Sequence, residues 1–109
     1  MRNLFLILSL LPFTLLGSSA SLAQSKLDAS IFSYDGKDFV RTETTLMKDG
    51  QSAVGTKLDP AGPAYKALVE KHSYTGPMTL FGRDYQVNYA PLMSKDGQLT
   101  GALFVGVPK

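Results

Sequence analysis

Two arms of alternating residues around one glycine leave a chain few ways to fold. Tyr74-Thr-Gly-Pro-Met-Thr-Leu-Phe-Gly-Arg-Asp-Tyr-Gln-Val-Asn-Tyr-Ala-Pro-Leu92 has that pattern. With Gly82-Arg83 as a two-residue turn and Gly82 at its first, positive-φ position, Phe81 faces Asp84 and Leu80 faces Tyr85. Met78 then faces Val87, and Gly76 faces Tyr89. Period-two alternation places Met78, Leu80, Tyr85, Val87 and Tyr89 on one face and Thr79, Gln86 and Asn88 on the other. The apolar face carries two phenols, whose hydroxyls need partners. Two readings follow: hydroxyls tied to backbone, or hydroxyls aimed at a polar ligand in a pocket.

The rest of the chain has room for one such domain. Of 109 residues, Met1 to Ala23 reads as a signal peptide: Arg2 is its basic start, Leu4 to Leu16 its apolar run, and Ser21-Leu22-Ala23 its cleavage signal. The apolar run falls short of the ~20 residues that span a bilayer. Export with cleavage before Gln24 is therefore expected, with retention as an uncleaved anchor as the alternative. Eleven Lys and Arg, one of them Arg2, stand against nine Asp and Glu and are well mixed with them, so no nucleic-acid footprint is present. There is no cysteine, so the core must hold by packing without disulfides. A domain this small buries only about 60% of its unfolded surface, which leaves a place for a dimer or a membrane-protein partner.

Taken in order, residues 24–37 form a short N-terminal segment and residues 38–109 the folded domain. Gln24 to Ser33 has the length of a brief helix. Tyr34-Asp35-Gly36-Lys37 is a turn. Asp38 to Met47 reads as a strand, with Phe39, Arg41, Glu43 and Thr45 on one face. Lys48-Asp49-Gly50-Gln51 suits a type I′ turn, and a second strand is expected from Ser52 to Leu58. Pro63 opens a helix running to about His72, with Ala64, Tyr65, Leu68 and Val69 on its apolar stripe. After the hairpin, Lys95-Asp96-Gly97-Gln98 turns the chain into Leu99 to Val107, which is apolar on both faces and suited to the centre of a sheet. The expected class is α+β: a mostly antiparallel sheet of about five strands crossed by one helix.

The ordered series from Asp38 to Val107 resembles the extracellular Cache sensor domains of bacterial chemoreceptors and sensor kinases, of the single Cache 3/Cache 2 type. It runs through Phe39-Val-Arg41, Asp49-Gly50, Ala53-Val-Gly-Thr56, Leu58-Asp59, Pro63-Ala-Tyr65, Tyr74-Thr-Gly76 and Leu80-Phe-Gly82. Tyr85, Tyr89, Pro91-Leu92, Asp96-Gly97 and Gly101-Ala-Leu-Phe-Val-Gly-Val107 continue it. The resemblance implies a PAS-like fold whose pocket, between one sheet face and the crossing helix with its loops, binds small molecules such as carboxylates without chemistry or cofactor. Receptor members of the family begin with a long helix from the membrane and end in a second membrane helix. Neither is expected here, so the chain is read as a stand-alone exported module.

The candidate ligand-binding residues are Arg41, Thr56, Lys57, Tyr74, Tyr85 and Tyr89. Arg41 lies inside a strand, where a guanidinium needs a partner: a ligand carboxylate held bidentately, or Glu43, Asp59 or Asp84. Thr56 and Lys57 precede the helix, where a backbone N–H or an ammonium can help hold an anion. Lys57 is otherwise a solvated surface cation. Tyr74, Tyr85 and Tyr89 supply hydroxyls at the expected pocket wall. His72 is the one histidine, with no second metal ligand or nucleophile nearby in the sequence, so neither metal binding nor catalysis is expected. Two functions compete: small-carboxylate sensing, with a membrane sensor or a second copy as partner, and a non-catalytic interaction role that uses an open sheet face.

Overall fold

The computed structural model describes residues 27–109; the stretch read as a signal peptide lies outside them. Five strands, β1 (Asp28–Tyr34), β2 (Phe39–Thr44), β5 (Tyr74–Leu80), β6 (Arg83–Met93) and β7 (Leu99–Pro108), make one antiparallel sheet ordered β2-β1-β7-β6-β5. A two-stranded ribbon, β3 (Met47–Lys48) and β4 (Gln51–Ser52), stands apart from it. One helix, α1 (Pro63–Val69), packs on β5 and β6. The expected five-stranded sheet with a crossing helix is present, and β7 is its central strand.

Membership of the sheet differs from the expectation in one place. Residues 28–34 are a strand and not a brief helix, and they pair with β2 on one side and β7 on the other. Ser30, Phe32 and Tyr34 alternate with Ala29, Ile31 and Ser33, a period of two, and without this strand β2 and β7 would each have an unpaired edge. The sheet thus begins at Asp28, ten residues ahead of Asp38. Conversely, Ser52 to Leu58 is not a second strand. Gly55 takes φ +90° and Thr56 folds back on Ala53 through both its N–H and its hydroxyl, so after β4 the loop meets β2 only through the Lys57 bridge to Val40 and the Gly55 N–H bond to Arg41 O.

The opening hairpin forms with its register moved. Thr79 faces Asp84, Met78 faces Tyr85, Gly76 faces Val87 and Tyr74 faces Tyr89, so the turn residues are Phe81-Gly82 and not Gly82-Arg83. Both have positive φ, +48° and +82°, as a type I′ turn requires. Because the partners moved by two residues, every side chain keeps its expected face. Asp49-Gly50 forms the expected type I′ turn, with φ of +53° and +79°.

The inner face of the sheet is the core: Phe32 and Phe39, Tyr85, Val87 and Tyr89, Ala102 and Phe104, covered by Leu46, Ala53, Leu58, Ala64 and Leu68. Burying a side chain such as Leu68 contributes about 2 kcal/mol. Gly101 lets β1 and β7 close, since a Cβ there would run into the Phe32 carbonyl. The helix stops at Val69, short of His72. Lys71 takes φ +66° and the Lys71 and His72 N–H groups close onto Leu68 and Ala67, which turns the chain out into β5.

Candidate ligand pocket

Arg41 and the end of β5 belong to opposite edges of the sheet, yet they meet over its inner face. A pocket of about 310 Å³ lies where they meet, walled by Lys57, Leu58 and Asp59, by Gly62 to Ala64, and by Met78 to Phe81. Its wall is mostly apolar, with Arg41 as the buried charge.

Local backbone geometry explains how Arg41 comes to face inward. An extra residue in β2, between the Phe32–Arg41 and Ile31–Glu43 pairs, bulges the strand. Phe39 and Arg41 share a face as expected, and it points inward, but beyond the bulge Glu43 and Thr45 are exposed, and Thr44 turns in to bond Ser30 at 2.7 Å. The loop after β4 then pairs along the β2 edge: Arg41 N–H donates to Thr56 O at 2.9 Å, and Gly55 N–H to Arg41 O at 2.8 Å.

Only 2% of Arg41 is exposed. Its Nη1 donates to Thr56 Oγ1 at 3.0 Å, and its Nε has no hydrogen-bond partner among the described residues. The guanidinium carbon sits 4.7 Å from the Phe32 ring centroid and 5.2 Å from that of Phe81. None of the three carboxylates considered for it pairs with it. The ion pair among the described residues is Lys57–Asp38; the exposed His72 lies 4.0 Å from Glu70, while Asp84 accepts from Thr79 and Asp59 from the Ala61 N–H. Burial pulls the Arg41 pKa down, and its nearness to the Tyr89 hydroxyl opposes that. Tyr89 is fully buried; burial pushes its pKa up to about 12 while Arg41 pulls the other way. Its hydroxyl also donates toward Met78 Sδ at 3.5 Å.

The remaining candidates fall at different distances from the pocket. Thr56 sits behind Arg41, holding Nη1 while its hydroxyl donates to Ala53 O at 2.6 Å. Lys57 is at the mouth, 3.2 Å from Asp38 and more than half exposed. The Tyr74 hydroxyl donates to Pro77 O at 3.2 Å, and that of Tyr85 to Asp28 Oδ2 at 2.8 Å. Tyr85 lines a second, smaller cavity of about 130 Å³, together with Asp28 and Arg83. Leu80 and Phe81 form the wall between the two cavities. Residue-level reading of the sequence missed Phe32 and Phe81, the two rings over the cation. The available signal was the second hairpin turn, since once Phe81-Gly82 is the turn, Phe81 projects over the inner face.

An antiparallel sheet crossed by one helix, with a pocket on its inner face, is the PAS-like arrangement of a sensing module. Residues 12–109 match the Cache 3/Cache 2 fusion domain, and the chain belongs to that family. Cache domains are small-molecule sensing modules, typically extracellular or periplasmic and generally without catalytic activity. No curated protein and no solved structure matches the chain. Among the described residues no helix is long and apolar enough to cross a membrane.

Proposed function

We propose that this chain is an exported, non-enzymatic Cache module that binds a small carboxylate and presents the bound state to a membrane receptor or kinase. The observation that carries the reading is Arg41: a buried guanidinium, without a carboxylate partner among the described residues, that lines the pocket and keeps one N–H unused. A buried donor left unpaired costs about 1–3 kcal/mol, more if charged, and a carboxylate on the Nε edge would remove that cost. Thr56 holds the guanidinium in place, Lys57 adds a second positive charge at the mouth, and Tyr89 supports Arg41 from below. Tyr74 and Tyr85 do not line this pocket, and their hydroxyls stay on Pro77 O and Asp28. No nucleic acid enters the reading.

The test is a thermal-shift and calorimetric screen of small acids against the wild type and Arg41→Ala. A ligand at a hundred times its Kd stabilises the fold by about 2.7 kcal/mol. Loss of a charge-assisted bond, roughly 1.5–3 kcal/mol, weakens it tenfold or more in the variant. A screen without Arg41-dependent shifts would remove the reading. Its exported part, a signal peptide over residues 1–23 removed before Gln24, predicts a mature protein whose mass begins at Gln24. Full-length protein recovered only in detergent would replace export by anchoring.

A second reading has its own observation. Ile31, Leu103, Val105 and Val107 lie on the outer sheet face, each at least 41% exposed. That strip suits a second copy or a receptor helix, and in this reading the pocket is vestigial.

A further inference from the structure

Phe81 is an unfavourable residue for the place it occupies. The first central position of a type I′ turn favours Asn, Asp or Gly, because a side chain with a Cβ is strained at positive φ, and Phe81 sits there at +48°. An Asn-Gly pair would form the same turn with less strain. The residue is also 37% exposed and is not part of the core cluster, so core packing does not account for its presence. What the turn does achieve is to hold that ring 5.2 Å from the Arg41 guanidinium carbon, with Phe32 on the other contact at 4.7 Å. Phe32 is fixed in the core, edge-on to Phe39 and tilted against Tyr89. Phe81 is the ring that lies outside the core cluster, and it lines the pocket beside Arg41. Strain of this kind persists where the surrounding structure uses it, and sites of binding are where it collects.

The geometry points to Phe81 as a positioning residue for the ligand: its ring lies over Arg41 and, with Phe32, walls the guanidinium from water, while the buried, unpaired Nε–H is the donor that an oxyanion entering the pocket would take. The inference rests on the carboxylate reading of the pocket. A ring near the guanidinium and a carboxylate on the Nε edge are compatible, so the ring stays while the anion binds. With water excluded, the ion pair is screened less and is worth more than the same pair in the open. Phe81 therefore raises affinity while lowering the stability of its own turn. A residue kept for packing alone would raise stability.

That opposition supplies the test. Wild type, Phe81→Asn, Phe81→Gly and Phe81→Trp are compared for urea midpoint, and for binding of acetate, propionate, succinate and benzoate at 20 and 200 mM salt, on the order of a threefold change in Debye length. The Arg41 Nε–H resonance is followed in parallel. Phe81→Asn is expected to unfold at equal or higher urea, to bind the best acid about fivefold more weakly and to lose further affinity with salt. Phe81→Gly, which also accepts positive φ, should agree with it on affinity, and Phe81→Trp should restore binding. Unchanged affinity and salt dependence in Phe81→Asn while Arg41→Ala still abolishes binding would overturn the inference and leave the carboxylate reading standing. Loss of both stability and affinity in Phe81→Asn would make Phe81 a packing residue and overturn it too. An Arg41 Nε–H signal that no acid moves, in wild type or Phe81→Trp, would remove the carboxylate reading and this inference with it.

Discussion

At the scale of single residues the site is built on an unequal exchange between Arg41 and Tyr89. Both are buried, and burial disfavours the charged form of each: it pulls Arg41 down and pushes Tyr89 up to about 12. A guanidinium has so much room below its ordinary pKa that it stays charged, and the phenol stays neutral. Arg41 thus keeps a charge for an anion, while Tyr89 offers only a hydroxyl. The phenol's raised pKa is also a statement about stability. Above its ordinary pKa of about 10 an unfolded tyrosine ionises, whereas Tyr89 in the fold does not until about 12. The stabilisation it gives is fully present below pH 10 and is lost as pH rises toward 12, a change of about 2–3 kcal/mol. Tyr85, also raised by burial and by its bond to Asp28, adds to the same window. Urea midpoints at pH 8 and pH 11.5 should therefore differ strongly in the wild type and less in Tyr89→Phe. Equal differences in the two proteins would mean that Tyr89 ionises in the fold as freely as in water.

At the scale of elements, strong local signals are legible in the sequence and quiet ones are not. Asp49-Gly50 and the Asp96-Gly97 turn, where Gly97 has φ +83°, need only the chemistry of positive φ. The apolar run of β7 places it at the centre of the sheet because only a strand with neighbours on both sides can use it. Strand β1 escapes a local reading because its two faces, Ser30-Phe32-Tyr34 and Ala29-Ile31-Ser33, carry little polar contrast, and its identity comes from the partners that need it. The Phe81-Gly82 turn is displaced from its expected place because turn propensity puts Gly first and never volunteers Phe. The contact that Phe81 makes with Arg41, from the opposite edge of the sheet, is tertiary and cannot be read from the hairpin. Arg41 itself is legible, since a charge inside a β-branched strand needs a reason. Its partner set is not, because the bulge after Arg41 and the fold of Thr56 onto Ala53 arise from the packing of the loop. Tyr74 and Tyr85 show the same limit: alternation gives their face, and Pro77 and Asp28, which hold their hydroxyls, come only with the structure.

At the scale of the molecule the two sheet faces are unlike. The inner face is closed by α1, the ribbon and the loop before the helix, and holds the pocket. The outer face carries an apolar strip, Ile31 on β1 with Leu103, Val105 and Val107 on β7, flanked by the polar Gln86 and Asn88 of β6. Strands β1 and β7 are neighbours, so these side chains are contiguous, and soluble monomers rarely expose contiguous apolar patches beyond a few hundred Å². The strip is expected to act as an interface, with a second copy when the protein is alone. A lysine at Val105 would put a charge within the strip of each chain, which two such strips brought together by a two-fold axis would have to bury. In sedimentation at micromolar concentration the wild type should therefore run as a dimer, and Val105→Lys, an exposed position that costs the fold little, as a monomer with an unchanged urea midpoint. Arg41-dependent acid binding should persist in that monomer, because the pocket is on the opposite face. A wild type that stays monomeric while Val105→Lys unfolds at lower urea would mean that the strip is covered within the chain, and that its residues serve the fold and not an assembly.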